Sequence, residues 1–136
     1  MFTKVAKDSL EIELQDLASK HGFAPRIHRI DGNVIQMDSV NGMCLADLYT
    51  DDPTKVPDFV WTEIHRILSV LFECEGIEYI DITGYNFMLE TETNKVWIID
   101  FGDAYYSTTP QTDKKPVNWF LREVLDGEKS WNPDFA

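Results

Sequence analysis

Residues 79–102 decide the fold, and they read YIDITGYNFMLETETNKVWIIDFG. Asp81 and Asn86 stand in a segment that favours turns, and Asp100 follows after two short apolar runs with a polar turn between them. Those two runs predict a β-hairpin, because apolar runs bounded by polar turn residues are typical of paired strands. Gly102 lets the backbone turn sharply after Asp100. The hairpin would therefore bring the three polar side chains to one cleft.

The chain on either side of this stretch predicts four helices and one more hairpin. Asp8 can cap a first helix that Gly22 ends, and Pro57 suits the first position of a long helix. Residues 31–33, Asp-Gly-Asn, form a strong turn signal between two apolar runs. The predicted elements are a helix at 9–21, strands at 27–30 and 34–37, a short helix near 45–49, a long helix at 57–74, strands at 87–90 and 96–100, and a last helix at 116–125.

The predicted core lies along one face of each of the two longer helices. In the first helix, the spacing of Leu10, Leu14 and Leu17 predicts a buried stripe. The long helix has a wider apolar face that includes Phe59, which predicts that this helix is central to the core.

Composition and charge limit the possible functions of this chain of 136 residues. That length predicts one domain, and an apolar content of 43% excludes a disordered acidic tail. The net charge of −12 argues against binding to nucleic acid and to anionic membranes, since both are negatively charged. A bound nucleotide would therefore need local cations, namely Mg²⁺ and a lysine.

The cysteines and the apolar segments predict where the protein resides. Cys44 and Cys74 lack the spacing of a metal site, and free thiols are typical of a reducing compartment. The first ten residues have no apolar core like that of a signal peptide, and charged residues interrupt the longest apolar stretch. We therefore expect a soluble intracellular, cytoplasmic protein.

The order of long helix, Asp-x-x-x-x-Asn loop and hairpin ending in Asp-Phe-Gly resembles the catalytic loop and metal-binding turn of protein kinases. Thr83, two residues after Asp81, is similar to the small atypical kinases of the KEOPS complex and of the RIO type, and so is the segment 112–119. The resemblance covers nearly the whole chain, and its decisive motifs lie within residues 79–102.

The resemblance implies an α+β, protein-kinase-like fold of truncated, atypical form. We expect a single minimal domain spanning residues 1–136. Its vestigial N-terminal lobe, residues 1–40, would hold one helix and a small antiparallel hairpin. Its mostly helical C-terminal lobe would comprise residues 41–136.

The same resemblance implies roles for the three polar residues. Asp81 would orient the acceptor hydroxyl, as a base or as a positioning group. Asn86 and Asp100 would bind Mg²⁺ as the cofactor, because this cation prefers oxygen ligands and shares them with the phosphates of ATP.

The nucleotide would contact the first lobe. The resemblance implies that Glu11, with Glu13 as a close rival, forms an ion pair with a phosphate-binding lysine, either Lys4 or Lys7. Backbone groups of two further residues would line the adenine edge. The implied nucleotide contacts are Lys4, Glu11, Met37 and Asp38.

Three features depart from the kinase pattern. The sequence has no glycine-rich phosphate loop before the first helix. Tyr79 and Ile80 replace the His-Arg or His-Gly pair that precedes the catalytic aspartate, which implies no control by phosphorylation of the activation loop. Asn118 stands where the aspartate of the family's helix F would be.

The resemblance implies an ATP- and Mg²⁺-dependent phosphotransferase of the atypical serine/threonine protein kinase type, with a protein as substrate or partner. One alternative is a pseudokinase that acts as a non-catalytic binding or scaffold module, which the missing glycine-rich loop favours. Another is an ATPase subunit that a partner completes within a complex. A small-molecule kinase would require a larger helical insert than this chain has.

Overall fold

The computed structural model describes residues 1–108 and 115–135 in two parts, the first with one small antiparallel sheet and the second with two. The first part contains β1 (Phe2–Val5), α1 (Ser9–Lys20), β2 (Ile27–Asp31) and β3 (Val34–Met37). The second part contains β4 (Met43–Cys44), α2 (Leu45–Leu48), a 3₁₀ turn (Pro53–Lys55), α3 (Asp58–Glu75), β5 (Ile77–Glu78), β6 (Phe87–Glu90), β7 (Lys95–Ile98), β8 (Tyr105–Tyr106) and α4 (Trp119–Leu125). The predicted α+β class is confirmed.

The first sheet has three strands, in the order β1-β3-β2, and β3 pairs antiparallel with both neighbours. The predicted hairpin of β2 and β3 is present, and β1 is a strand that the sequence analysis did not predict. Its four residues lack a pattern of their own, and they become a strand by pairing with β3 from Phe2–Met37 to Val5–Val34. This register places Lys4 opposite Ile35, at the side of the sheet next to α1.

Helix α1 buries a different face from the predicted one. Leu14 is fully buried as expected, but Leu10 is 37% exposed and was wrongly assigned to the core. Glu11 and Gln15 are buried in its place. Burying a carboxylate and an amide costs free energy unless both find partners, so this face indicates a role beyond packing.

Helix α3 is the centre of the core, as predicted. It begins one residue later than expected, because Pro57 is its N-cap, and it ends at Glu75 with Gly76 as its C-cap. The Gly76 N–H donates to the carbonyl of Phe72 at 3.0 Å, and the left-handed conformation of Gly76 (φ +69°) then turns the chain out of the helix. Phe59 was expected on the buried face and is 47% exposed instead. The fully buried residues of α3 include Val60, Ile64, Ile67, Leu68 and Leu71.

The second hairpin is shorter than predicted. β7 ends at Ile98, so Ile99 and Asp100 leave the sheet and enter the cleft between the two parts. The Ile99 N–H donates to the carbonyl of Asn86 at 3.0 Å, which ties the end of β7 to the loop that precedes β6.

Helix α4 begins at Trp119 and not at residue 116 as predicted. The Asn118 side chain accepts a hydrogen bond from the Leu121 N–H at 3.0 Å and caps the helix, so the residues before it are extended. Residues 112–114 of the segment that resembles the KEOPS kinases lie outside the described residues. Within ranges 1–108 and 115–135, no helix has the length and apolarity needed to cross a membrane.

Candidate functional site

A cavity of about 280 Å³ opens between the first sheet and the hairpin of β6 and β7. Most of its lining is apolar, which suits the binding of a flat ring. One lining residue, Ile99, directly precedes the Asp-Phe-Gly turn. We call it the shelf. It is lined by Phe2, Pro25, Met37, Asp38, Ser39, Val40, Met88 and Ile99.

Lys4 links the first sheet to the Asp-Phe-Gly turn. Its Nζ lies 2.7 Å from Oε2 of Glu11 and 3.5 Å from Oδ1 of Asp100, and it donates to the carbonyl of Ile99 at 3.5 Å. Glu11 is buried, so removing Lys4 would leave a buried charge without a counterion, which typically costs about 3–5 kcal/mol. The Lys4 ammonium thereby connects strand β1 and helix α1 to the turn.

The second predicted lysine, Lys7, contacts the same residues differently. Its backbone N–H donates to Oε1 of Glu11 at 2.9 Å, and its Nζ donates to the carbonyl of Gly102 at 3.4 Å. The ammonium that pairs with the Glu11 carboxylate is therefore that of Lys4, and Lys7 holds the other oxygen of the same carboxylate.

The rival glutamate, Glu13, points elsewhere. It accepts a hydrogen bond from the hydroxyl of Tyr106 on β8, and this bond raises the pKa of Tyr106 to about 12. Glu13 therefore connects α1 to the strand that follows the Asp-Phe-Gly turn and is not a partner of Lys4.

The Asp-Phe-Gly turn is closed by its own first residue. Oδ1 of Asp100 accepts the N–H of Gly102 at 2.8 Å. A Cβ at position 102 would lie 3.2 Å from that oxygen and 3.4 Å from Oε1 of Glu11, so a side chain here would crowd these two carboxylates. The Asp100 side chain is 45% exposed and faces the cleft, where it can meet a ligand.

Asn86 and Asp81 are joined across the loop. Nδ2 of Asn86 donates to the backbone carbonyl of Asp81 at 3.0 Å, so its amide oxygen is the atom that it can offer to a cation. Burial raises the pKa of Asp81 to about 6, and a hydrogen bond between the Asn86 side chain and the Asp81 carboxylate opposes that shift. The negative charges of Asp103 and Asp100 raise this pKa further.

Two residues of the site were missed by the sequence analysis. The buried hydroxyl of Tyr79 donates to the carbonyl of Asp100 at 2.5 Å, and its ring packs edge-on against Phe101 at 5.3 Å between centroids. Burial raises the pKa of Tyr79 well above its usual range, so it remains a donor. Asp103 lies close enough to Asp81 to form a hydrogen bond with it. Two features of the sequence could have identified these residues: an aromatic residue two positions before Asp81, and a carboxylate directly after the Asp-Phe-Gly turn.

Met37 and Asp38 lie at the inner edge of the shelf. The sulfur of Met37 accepts a hydrogen bond from Nε2 of Gln15 at 3.4 Å, which explains why α1 buries an amide. The backbone N–H of Asp38 donates to the carbonyl of Arg26 at 2.9 Å, and its carboxylate pairs with His28. The carbonyl of Asp38 is therefore the backbone group that this residue can offer to a ring on the shelf.

The donor set fits Mg²⁺ bound together with phosphates. Within the part of the chain that the structure describes, no three His, Cys, Asp or Glu side chains converge to enclose a metal on their own. Asn86 and Asp100 each offer a side-chain oxygen, and the hydrogen bond from the Ile99 N–H to the Asn86 carbonyl brings their two segments together. Mg²⁺ usually takes one or two protein ligands and completes its shell with phosphate and water. Lys4 and Lys7 lie beside them and can neutralise further phosphate charge.

Comparison with known proteins places the chain in the RIO domain family and finds solved structures of similar fold. The RIO domain family matches residues 3–115. No curated protein matches the chain significantly. Among solved structures, the granulovirus kinase PK-1 of Cydia pomonella granulovirus is 14% identical, with a TM-score of 0.62 over 97% of this chain and 61% of that chain. The Rv3197–erythromycin complex from Mycobacterium tuberculosis is 22% identical, with a TM-score of 0.60 over 72% of this chain and 26% of that chain.

These two likenesses extend to the fold alone. The chain spans about a quarter of the length of the mycobacterial protein and about three fifths of the viral one, in line with the shares of 26% and 61%.

Proposed function

This chain belongs to the RIO domain family and has a kinase-like fold, and from this we propose that it is an ATP- and Mg²⁺-dependent phosphotransferase that acts on a protein hydroxyl. The observation that supports this most strongly is the meeting of Lys4, Glu11 and Asp100 within 3.5 Å beside an apolar shelf. An ion pair that only stabilised the fold would need one carboxylate. Here the carboxylates of Glu11 and Asp100 repel each other, and a bound cation would reduce that repulsion.

Each part of the site then has a role in the transfer. The adenine ring lies on the shelf, with the Asp38 carbonyl and its neighbours at the edge of the ring. Lys4, held by Glu11, contacts the phosphates. Asn86 and Asp100 hold Mg²⁺, which, when bound, neutralises the charge that develops on the phosphates.

Asp81 acts on the acceptor. Its carboxylate orients the acceptor hydroxyl and accepts the hydroxyl proton as the new oxygen–phosphorus bond forms and ADP leaves. With a pKa of about 6, Asp81 is mostly ionised at neutral pH and is still basic enough to take that proton. Tyr79 holds the Asp100 backbone in place from beneath the turn.

The test compares the wild type with Asp100→Ala in a Mg²⁺-dependent ATP-binding and phosphotransfer assay. Removing a group that stabilises developing charge should lower turnover by about 100-fold or more. Asp16→Ala, which removes an exposed carboxylate on α1, is the control and should retain wild-type turnover. Turnover that is absent from the wild type, or that is the same in both variants, would refute the proposal.

A second candidate function is that of an ATPase or scaffold subunit completed by a partner protein. β1 is one of the two edge strands of the first sheet, and two of its side chains, Phe2, which lines the shelf, and Val5, are 56% and 72% exposed. An exposed apolar edge strand favours pairing with another chain. Binding of Mg²⁺-ATP without turnover by the chain alone, and turnover on addition of a partner, would favour this function.

The proposed function also suggests an intracellular location, where ATP and Mg²⁺ are abundant. Cys74 is an exposed free thiol and Cys44 a partly buried one, which is consistent with a reducing compartment.

A further inference from the structure

We infer that Asn132 is a positioning residue that holds the loop around Asp81 in its working geometry. This inference rests on the proposed function, since it assigns a purpose to that geometry. The residue lies in the segment 128–135, after α4, and no motif in the sequence distinguishes it.

Asn132 holds the loop on both sides of Asp81. Its Nδ2 donates to the carbonyl of Ile80 at 2.8 Å, and its backbone N–H donates to the carbonyl of Ile82 at 2.8 Å. Its amide oxygen accepts the N–H of Asp134 at 3.1 Å. Asn132 is 0% exposed, so water cannot replace these hydrogen bonds.

The loop needs such a support because its internal bonds span very few residues. The Ile82 N–H donates to the carbonyl of Ile80 at 2.8 Å, and the Thr83 N–H donates to the carbonyl of Asp81 at 3.1 Å. Bonds this local constrain a turn but do not place it relative to the rest of the protein. Asn132 contributes to that placement from more than fifty residues away in the chain, together with the hydrogen bond from the Ala46 N–H to the Gly84 carbonyl.

The segment that presents Asn132 is anchored independently of it. The indole ring of Trp131 packs on Trp61 at 5.3 Å between centroids, and its Nε1 donates to the carbonyl of Asp51 at 3.2 Å. Lys129 donates to the carbonyl of Val56 at 3.2 Å and also pairs with an aspartate of α3. The segment should therefore stay docked on α3 when the side chain of Asn132 is changed.

The sequence had pointed to a different asparagine near the loop. Asn118 stands where the resemblance placed the aspartate of helix F, but its side-chain oxygen caps its own helix through the Leu121 N–H. Asn132 is the residue that contacts the backbone on both sides of Asp81.

Two variants test the inference. Asn132→Asp has the same shape but turns a carboxylate toward the Ile80 carbonyl, and Asn132→Ser is too short to reach it. Both should lower kcat by about 10- to 100-fold, because a displacement of about 1 Å has effects of that size. The affinity for Mg²⁺-ATP should fall less than kcat, because Lys4 and Asp100 keep their contacts and only Asn86, which bonds to the Asp81 carbonyl, moves with the loop.

Hydrogen exchange supplies a readout that does not depend on activity. The amides of Ile82 and Thr83 should exchange about tenfold faster in both variants, while the amides of α3 keep their protection. Trp131→Phe is the matched control, because it removes one hydrogen bond from the same segment without touching the loop. It should leave kcat and the exchange of Ile82 and Thr83 within about twofold of wild type.

The outcomes separate this inference from the proposed function. If the wild type does not transfer phosphate, the proposed function fails and the exchange of Ile82 and Thr83 alone decides the role of Asn132. Unchanged exchange at those amides, or a kcat equal to that of Trp131→Phe, would overturn the inference. So would a failure of both Asn132 variants to fold where Trp131→Phe folds, since the residue would then serve folding.

Discussion

At the scale of single residues, the site holds carboxylates close to one another, an arrangement that lowers the stability of the fold. Asp81 is partly buried near Asp100 and Asp103, and its pKa is raised to about 6, chiefly by burial. A carboxyl whose pKa is higher in the folded than in the unfolded state binds its proton more tightly when folded. Its ionisation therefore destabilises the fold as the pH rises from about 4 to about 6.

Asp81→Asn should for that reason stabilise the protein while it abolishes the proposed transfer. At pH 7.5 the free energy of unfolding should rise by about 1 kcal/mol after allowance for solvent screening, and at pH 3.5 the gain should vanish. Urea denaturation at the two pH values measures this. Asp31→Asn, at the exposed end of β2, should show neither effect, and a destabilised Asp81→Asn at pH 7.5 would contradict the assignment.

In the wild type, the same pKa sets the pH dependence of turnover. Because the base must be ionised, phosphotransfer should fall as the pH drops through about 6.

At the scale of elements, the loop depends on close contact with α2. The carbonyl of Gly84 accepts the Ala46 N–H at 2.8 Å, and a Cβ at Gly84 would lie 2.9 Å from that same nitrogen. The Ala46 nitrogen, and the Ala46 Cα at 3.1 Å, belong to backbone, which cannot move aside as a flexible side chain can. The loop and α2 therefore lie so close together at position 84 that only glycine, which has no Cβ, fits without a shift of the backbone.

Gly84→Ala should destabilise the protein by about 1–3 kcal/mol, the usual range for overpacking. Thermal unfolding measures the effect. Gly32→Ala is the control, because its φ of +61° adds conformational strain at a position with open space around the Cβ. Strain of that kind costs about 1 kcal/mol, so a larger loss for Gly32→Ala than for Gly84→Ala would contradict the packing argument.

The elements also show where prediction from sequence succeeds. α3 and both predicted hairpins follow from local periodicity and turn residues, and their positions are confirmed within a few residues. β1 was missed because only its partner strand makes it a strand. The error at Leu10 has a similar cause: helical spacing favoured an apolar stripe, whereas Glu11 and Gln15 are buried by contacts with Lys4 and Met37.

At the scale of the whole molecule, the net charge of −12 opposes the binding of a free nucleotide anion. The local cations Lys4 and Lys7 are both engaged with protein oxygens, so they offset only part of that repulsion. The proposed site should therefore bind ATP as its Mg²⁺ complex and bind ATP alone only weakly.

Mg²⁺-ATP at 100 times its Kd should stabilise the folded protein by about 2.7 kcal/mol, which is visible as a rise in Tm. ATP with a chelator should give little or no shift, and Asp100→Ala should lose most of the Mg²⁺-dependent shift. An equal rise in Tm with and without Mg²⁺ would show that the nucleotide binds without the metal residues.

The motif and the fold are predictable from local sequence: the spacing of Asp81, Asn86 and Asp100 is local, and the predicted kinase-like fold is confirmed by the RIO match and the viral kinase. A short loop and one hairpin suffice to bring such residues together. The three-dimensional contacts were needed to identify the lysine that meets Glu11 and the asparagine that meets the loop. Those contacts, from Lys4 to Asp100 and from Asn132 to Ile80, join residues far apart in the chain, and no local pattern encodes them.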